Sequence, residues 1–268
     1  MAVLVLFLWS AALAADLKPK TVSAFDQYLA ATQARFDGEL RPGGAFLHVD
    51  GLPEPEKKSA IEALKRGEVL VYKLESRRQG REIDIPDGIV HHWVSIAFVP
   101  GVTMAQVLQV AQDYDHRSEH YKPEITGSRT LSHQGDDYKV FLRIFQKKFT
   151  TVVYNTEYDI HWRKFDERRY SSDSISTRIA EVKDSDHPDG EELPVGKDHG
   201  YLWRLNTYWR FQEKDGGVYM QCELVSLTRD IPTGLGWLFR PLVASLPRNS
   251  LQRALTRTRE VVVEHAKH

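Results

Sequence analysis

The sequence predicts an α+β protein in which one large, curved antiparallel sheet of about seven strands is wrapped on a long C-terminal helical element. Three observations predict it. From residue 129 to residue 228 the chain is dominated by long runs in which side chains alternate in character, the two-residue period of strands. Most breaks between these runs are short, which favours antiparallel neighbours. From Trp237 onward the chain reads as helix, interrupted by Gly and Pro.

The elements follow in order. Residues 1–15, MAVLVLFLWSAALAA, are apolar but shorter than the roughly 20 residues a membrane span needs. Ala12-Leu13-Ala14 has the small-x-small form of a cleavage site and Asp16 opens polar sequence, so the stretch reads as a signal peptide that lacks the usual basic start. A membrane-tethering stub and a buried strand are the other readings. Cleavage would leave a periplasmic or secreted chain. Its lone cysteine, Cys222, rules out an intrachain disulfide, which such compartments permit without requiring.

Residues 16–85 form an N-terminal extension. Val22, Phe25, Tyr28, Leu29 and Thr32 lie close to one helical face, Gly38 to Gly44 breaks the helix, and Phe46 to Val49 reads as a short extended piece. A second helix covers Lys57 to Arg66 with Ile61 and Leu64 inward, Gly67 ends it, and Val69 to Tyr72 is a strand. This is too little core to fold alone.

Residues 86–268 form the main domain. Ile89 to Phe98 is a strand closed by Pro100-Gly101, Thr103 caps a helix with Val107, Leu108 and Ala111 inward, and His116 to Ile125 is a second short helix cut by Pro123. Strands follow at Arg129–His133, Tyr138–Lys148, Thr151–Lys164 and Ile175–Val182. After a gap rich in Asp, Gly and Pro come Tyr201–Phe211 and Val218–Thr228. Two helical pieces end the chain, Trp237–Leu246 and Ser250–Glu264, with Leu251, Leu255, Arg259 and Val262 on one face of the second.

One hairpin can be registered. Asp215-Gly216 is a strong two-residue turn, so strand partners sum to 431. Phe211 then faces Met220, Trp209 faces Cys222, and Leu205 faces Ser226, on a mainly apolar side that should look toward the helix. The other side pairs Arg210 with Gln221, Tyr208 with Glu223, and Arg204 with Leu227. That side is either a solvated outer surface or a polar groove or docking surface for residues 16–85.

The aromatic load, with 6 Trp, 11 Tyr and 11 Phe, suits a cavity between sheet and helix, or else a solid core. Tyr154, Tyr158, Trp162, Trp203, Leu205, Trp209, Phe211, Met220, Cys222 and Leu255 are the cavity candidates, and Arg143, Arg204, Tyr208 and Glu223 the candidate polar anchors. A carboxyl at Glu223 buried beside the Tyr208 phenol would have a raised pKa and move protons; the pair also reads as a structural hydrogen bond, or as lying on the wrong face. No catalytic set is assigned. There is no G-x-S-x-G, no H-E-x-x-H and no glycine-rich nucleotide loop. His91 and His92 point to opposite faces of a strand, and Asp113, Asp115, His116 and His120 read as an exposed helix end rather than a metal site. Neither a metal nor a cofactor is expected. Lys+Arg is 36 and Asp+Glu is 37, for a net charge of -1, which gives no basic field to collect nucleic acid.

Five stretches carry a resemblance: HHWVSIAFVPG at His91–Gly101, TMAQVLQVAQDYDH at Thr103–His116, YKPEIT at Tyr121–Thr126, the hairpin Tyr201–Pro232, and GLGWLFRPLVASLPRNSLQRALTRTREVV at Gly234–Val262. In order and content they resemble the START or Bet v 1-like helix-grip superfamily (SRPBCC), which includes polyketide cyclase-like and lipid-transfer proteins. The R-x-I-P at Arg229–Pro232 before a long helix is similar to the ending of bacterial START-like proteins. The resemblance covers about residues 86–265 and leaves the extension unexplained. It implies a helix-grip domain that holds an apolar or amphipathic small molecule, such as a lipid, between sheet and C-terminal helix, and it brings no universal catalytic residues. The leading expectation is an exported binding or transfer protein. A cyclase- or dehydratase-like enzyme using cavity Tyr and Glu groups, and a non-catalytic envelope interaction protein with a filled core, are the alternatives. Trp237–Leu246 reads either as a lid making transient membrane contact or as a plain helix packed on the sheet. The sequence leaves the oligomeric state unknown.

Overall fold

The computed structural model describes residues 15–147, 151–185, 187, 189–230 and 236–267, with backbone alone over 236–246. The chain begins with β1 (Ala15–Asp16), α1 (Pro19–Glu39), a 3₁₀ turn (His48–Gly51), α2 (Glu54–Lys65), β2 (Leu70–Lys73) and the small pair β3 (Arg77–Arg78) and β4 (Arg81–Glu82). Next come β5 (Gly88–Pro100), α3 (Met104–Ala111), α4 (Arg117–His120), β6 (Ile125–Gln134), β7 (Asp137–Lys147), β8 (Thr151–Asp166) and β9 (Arg169–Glu181). It ends with β10 (Lys197–Asp198), β11 (Arg204–Lys214), β12 (Gly217–Arg229) and α5 (Gly236–His265).

Eight strands form one antiparallel sheet in the order β2-β5-β12-β11-β9-β8-β7-β6, with α5 as the long C-terminal helix of a helix-grip arrangement. The strand beyond the expected seven is β2, which comes from the extension and pairs with β5 through Leu70↔Ile96 and Tyr72↔Val94. The export-signal reading rests on residues of which 1–14 lie outside the described ones; Ala15 opens β1 and pairs with Asp198. The side chains of the lid reading at 237–246 lie outside them too.

The β11–β12 hairpin has the expected register throughout, from Lys214↔Gly217 to Arg204↔Leu227. Asp215 (φ 57°) and Gly216 (φ 75°) both take left-handed conformations, as the type I′ turn that matches strand twist requires. Strand alternation then sorts every side chain to one of two faces.

Both faces are covered. Over one lie α3 and α5, and Ala97, Val99, Val107, Met220, Leu255 and Val262 belong to the core there. Thr103 holds α3 in place with a capping box: Gln106 N–H donates to its hydroxyl at 3.4 Å, and the Gln106 side-chain Oε1 accepts from Thr103 N–H at 3.0 Å. Over the other face lies the extension. In α1, Phe25, Tyr28, Thr32 and Phe36 repeat every three or four residues and are buried, against Trp203, Tyr208, Val225 and Leu227. Leu64 of α2, with Phe46, Leu47 and Val49, buries Val94, Ile96, Phe98 and Tyr219. The polar side of the hairpin is therefore a docking surface for residues 16–85, not a solvated exterior.

β9 begins at Arg169, well before the expected Ile175, and three further elements differ from expectation. Phe46–Val49 is not extended throughout, because the Asp50 carboxylate accepts from Leu47 N–H at 3.0 Å and turns the chain into the 3₁₀ turn. The helix expected over His116–Ile125 shrinks to the single turn α4: Pro123 cannot continue it, and Ile125 already pairs with Ile144. Conversely, α5 is one continuous helix although Pro241 and Pro247 lie within it.

Candidate ligand cavity

Between the sheet and its helical cover lies a cavity of about 190 Å³. Its floor comes from four strands: Val140, Leu142 and Ile144 of β7, Tyr158, Ile160 and Trp162 of β8, Ser172 and Ser174 of β9, and Leu205, Thr207, Trp209 and Phe211 of β11. Each set steps along its strand in multiples of two residues, so one register delivers all of them to one face. Trp162, Phe211 and Trp209 stack in series, with ring centroids 5.7 Å apart at both steps. Tyr114, Arg117, Tyr121 and Thr258 close the sides.

A few polar groups interrupt this apolar lining. Trp162 Nε1 donates to the Tyr114 hydroxyl at 2.9 Å. The Thr258 hydroxyl donates to Ala254 O at 2.8 Å, so in its 2.8 Å contact with Tyr121 the phenol is the donor. Tyr158 is 4% exposed, and its hydroxyl is buried beside the Thr156 side chain. Burial pushes both the Tyr158 and Tyr114 phenols up to about 12, so both keep their protons at neutral pH. Arg117 Nε is buried without a partner, while its Nη2 donates to Ala111 O at 2.7 Å. Among the described residues, no carboxylate lines the cavity.

Of the cavity candidates named from sequence, Tyr158, Trp162, Leu205, Trp209 and Phe211 meet at its wall. Met220, Cys222 and Leu255 are buried on the same side of the sheet, outside the lining. Tyr154 is buried with Val152, Ile179 and Leu202 in a separate cluster. Trp203 belongs to the opposite face, among Phe25, Tyr28 and Tyr208, and donates to Asp198 Oδ1 at 3.2 Å.

None of the four polar anchors lines the cavity. The reason is strand parity: Arg143 alternates with the lining residues of β7, and Arg204 and Tyr208 with those of β11. Arg143 Nε donates to Asn155 Oδ1 at 2.9 Å, and its Nη1 pairs with Asp189. Arg204 borders an open cleft beside the start of α1, together with Asp16 and Asp26.

Glu223 and Tyr208 lie beneath the extension, where Glu223 centres a buried network. His92 Nε2 lies 2.5 Å from Glu223 Oε1, and Arg35 pairs with the same oxygen. Tyr28 bonds His92 Nδ1 at 2.8 Å and accepts from Ser76 N–H at 2.9 Å. A Tyr28 hydroxyl donating to Nδ1, with Nε2–H donating to Glu223, gives each of these atoms a partner. Glu39 joins Arg35 to Arg210, at 2.7 Å on each side. Burial raises the Glu223 pKa, but His92 and Arg35 outweigh it and hold the carboxyl below its usual range. The raised carboxyl expected from sequence is thereby corrected, because the groups that lower it, Arg35 of α1 and His92 of β5, lie outside the hairpin.

Sequence reasoning missed Arg117, Tyr114, Tyr121 and Thr258 as wall residues. The aromatic pair flanking Arg117 just before Pro123 was the available signal. Among the described residues, no group of three or more His, Cys, Asp and Glu is placed to hold a metal ion.

No protein-family model matches the chain, and no curated protein does. Among solved structures it is similar to TTHA0849 from Thermus thermophilus, at 15% identity over 66% of this chain and 97% of that one, with a TM-score of 0.44. It is similar to a STAR-related lipid transfer protein (fragment 25–204) from Xanthomonas axonopodis, at 15% identity over 70% and 93%, with a TM-score of 0.45. Human STARD10 is similar at 10% identity over 81% and 82%, with a TM-score of 0.48.

Proposed function

We propose that this chain is a binding protein that encloses a small apolar or amphipathic molecule between its sheet and α5. The cavity carries the reading. Its lining is mainly apolar, so a fitting ligand gains roughly 25 cal/mol for each Å² of apolar surface that it removes from water. Its volume lies below the roughly 300–1,000 Å³ of drug-sized sites, which favours a compact ligand over a two-chain lipid. The lining favours binding over acid–base catalysis, since its described residues include no carboxylate or imidazole and its two tyrosines nearest Trp162 stay protonated. Export through residues 1–15 and transfer to or from a membrane extend the same proposal to a periplasmic or secreted carrier.

Native mass spectrometry of protein purified without detergent tests it, followed by solvent extraction of the same sample. The expected result is a discrete mass excess that disappears on extraction and yields one chemical class. A bare mass in repeated preparations, unshifted by added lipids and aromatic acids, refutes the reading and leaves a filled-core interaction protein.

A further inference from the structure

Resting on that reading, we infer that the ligand is an acid: a compact, flat apolar body whose negative group is held by Arg117. The cavity wall carries one cation among the described residues, Arg117. Among the described residues it presents no acidic side chain to receive an amine. Arg117 differs from the arginines around it. Arg253 pairs with Glu124 at 3.3 Å and Arg257 with Glu260 at 3.1 Å, whereas no ion pair holds Arg117 among the described residues. Instead its guanidinium lies 4.9 Å from the Tyr114 ring centroid and 5.6 Å from that of Tyr121, both wall residues, and its field reaches the buried Cys222. A guanidinium set in an aromatic wall is fixed in orientation and weakly hydrated, so it accepts a carboxylate at little further desolvation cost. The stacked Trp162, Phe211 and Trp209 supply the surface for a planar body.

Three probes of one shape and different charge test this at pH 7 by titration calorimetry: 2-naphthoate, 2-naphthylmethanol and 2-naphthylmethylamine. Wild type should bind the carboxylate at least tenfold tighter than the alcohol, and the ammonium most weakly. Arg117→Gln should bind carboxylate and alcohol alike, with the retained alcohol affinity showing an intact cavity. Arg117→Lys should keep part of the preference, and it replaces the glutamine variant if that one does not fold. Equal binding of carboxylate and alcohol by wild type, or a preference that survives Arg117→Gln, overturns the inference while leaving the cavity a binding site. Binding of none of the three probes removes the cavity reading itself.

Discussion

Replacing Glu223 by alanine should loosen the extension from the sheet. The substitution removes two charge-assisted contacts, from His92 and from Arg35, in a site that is 1% exposed. Each such contact is worth about 1.5–3 kcal/mol, which bounds the loss at about 3–6 kcal/mol. Two features pull it to the low end. Arg35 keeps Glu39 at 2.7 Å and is one-third exposed, and His92 keeps Tyr28 at 2.8 Å. About 3 kcal/mol is expected, the lower end of what breaking a buried pair costs. For a chain of this size that is a fall in Tm of about 6–12 °C. Glu223→Gln keeps the shape, loses the charge, and should cost about half as much. The folded Glu223 pKa lies below its unfolded value, so the carboxylate's contribution is complete above about pH 4.5 and is lost as pH falls through the folded value. Urea unfolding of wild type and Glu223→Gln from pH 8 to pH 3, with hydrogen exchange across α1, reads both effects. A stability difference that stays constant to pH 3, or a Glu223→Ala variant within 2 °C of wild type, would refute this account of how residues 16–85 are held.

Substitutions at two further positions test the fold locally. Burial, with Lys73 adding to it, lowers the His91 pKa to about 4, so the unfolded state binds the proton first on acidification and stability falls between about pH 6.5 and pH 4. That loss is roughly 3 kcal/mol. His91→Asn should flatten this part of the urea-midpoint profile, and an unchanged slope would contradict it. Gly216 has φ 75° and open space where a Cβ would stand, so Gly216→Val adds backbone strain alone. It should cost about 1–2 kcal/mol in thermal unfolding, while Gly216→Asn, which tolerates the turn conformation, should be close to neutral.

The legible parts of the molecule were those fixed by neighbours in sequence. Asp215-Gly216 set the hairpin register, and through it the inward direction of Leu205, Trp209 and Phe211. Alternation likewise put Val140 with Leu142 on one side of β7, and Tyr158 with Trp162 on one side of β8. What failed depended on partners distant in the chain. Nothing near Glu223 announces Arg35, 188 positions away, or His92, 131 away. Without them a carboxylate beside a tyrosine reads as a cavity acid. Parity separated the anchors from the lining, yet which face carried the ligand and which the extension was a tertiary fact. One local signal was underused: Val94, Ile96 and Phe98 alternate with Ala97 and Val99, leaving β5 apolar on both sides. A strand of that kind is covered twice.

The strand order also governs how the molecule is made. β5 ends at Pro100, but its hydrogen-bonded neighbour β12 begins only at Gly217. A ribosome therefore delivers α1, α2 and β5 long before the strand that joins them to the rest: the extension can cover the Val94, Ile96 and Phe98 side early, while the edge of β5 that pairs with β12 stays open through the synthesis of more than a hundred residues. The β6–β9 meander can pair as it emerges, whereas the extension waits for Glu223. A chain stalled before residue 217 thus lacks the strand that closes its sheet, which arrives only with the last fifth of the sequence.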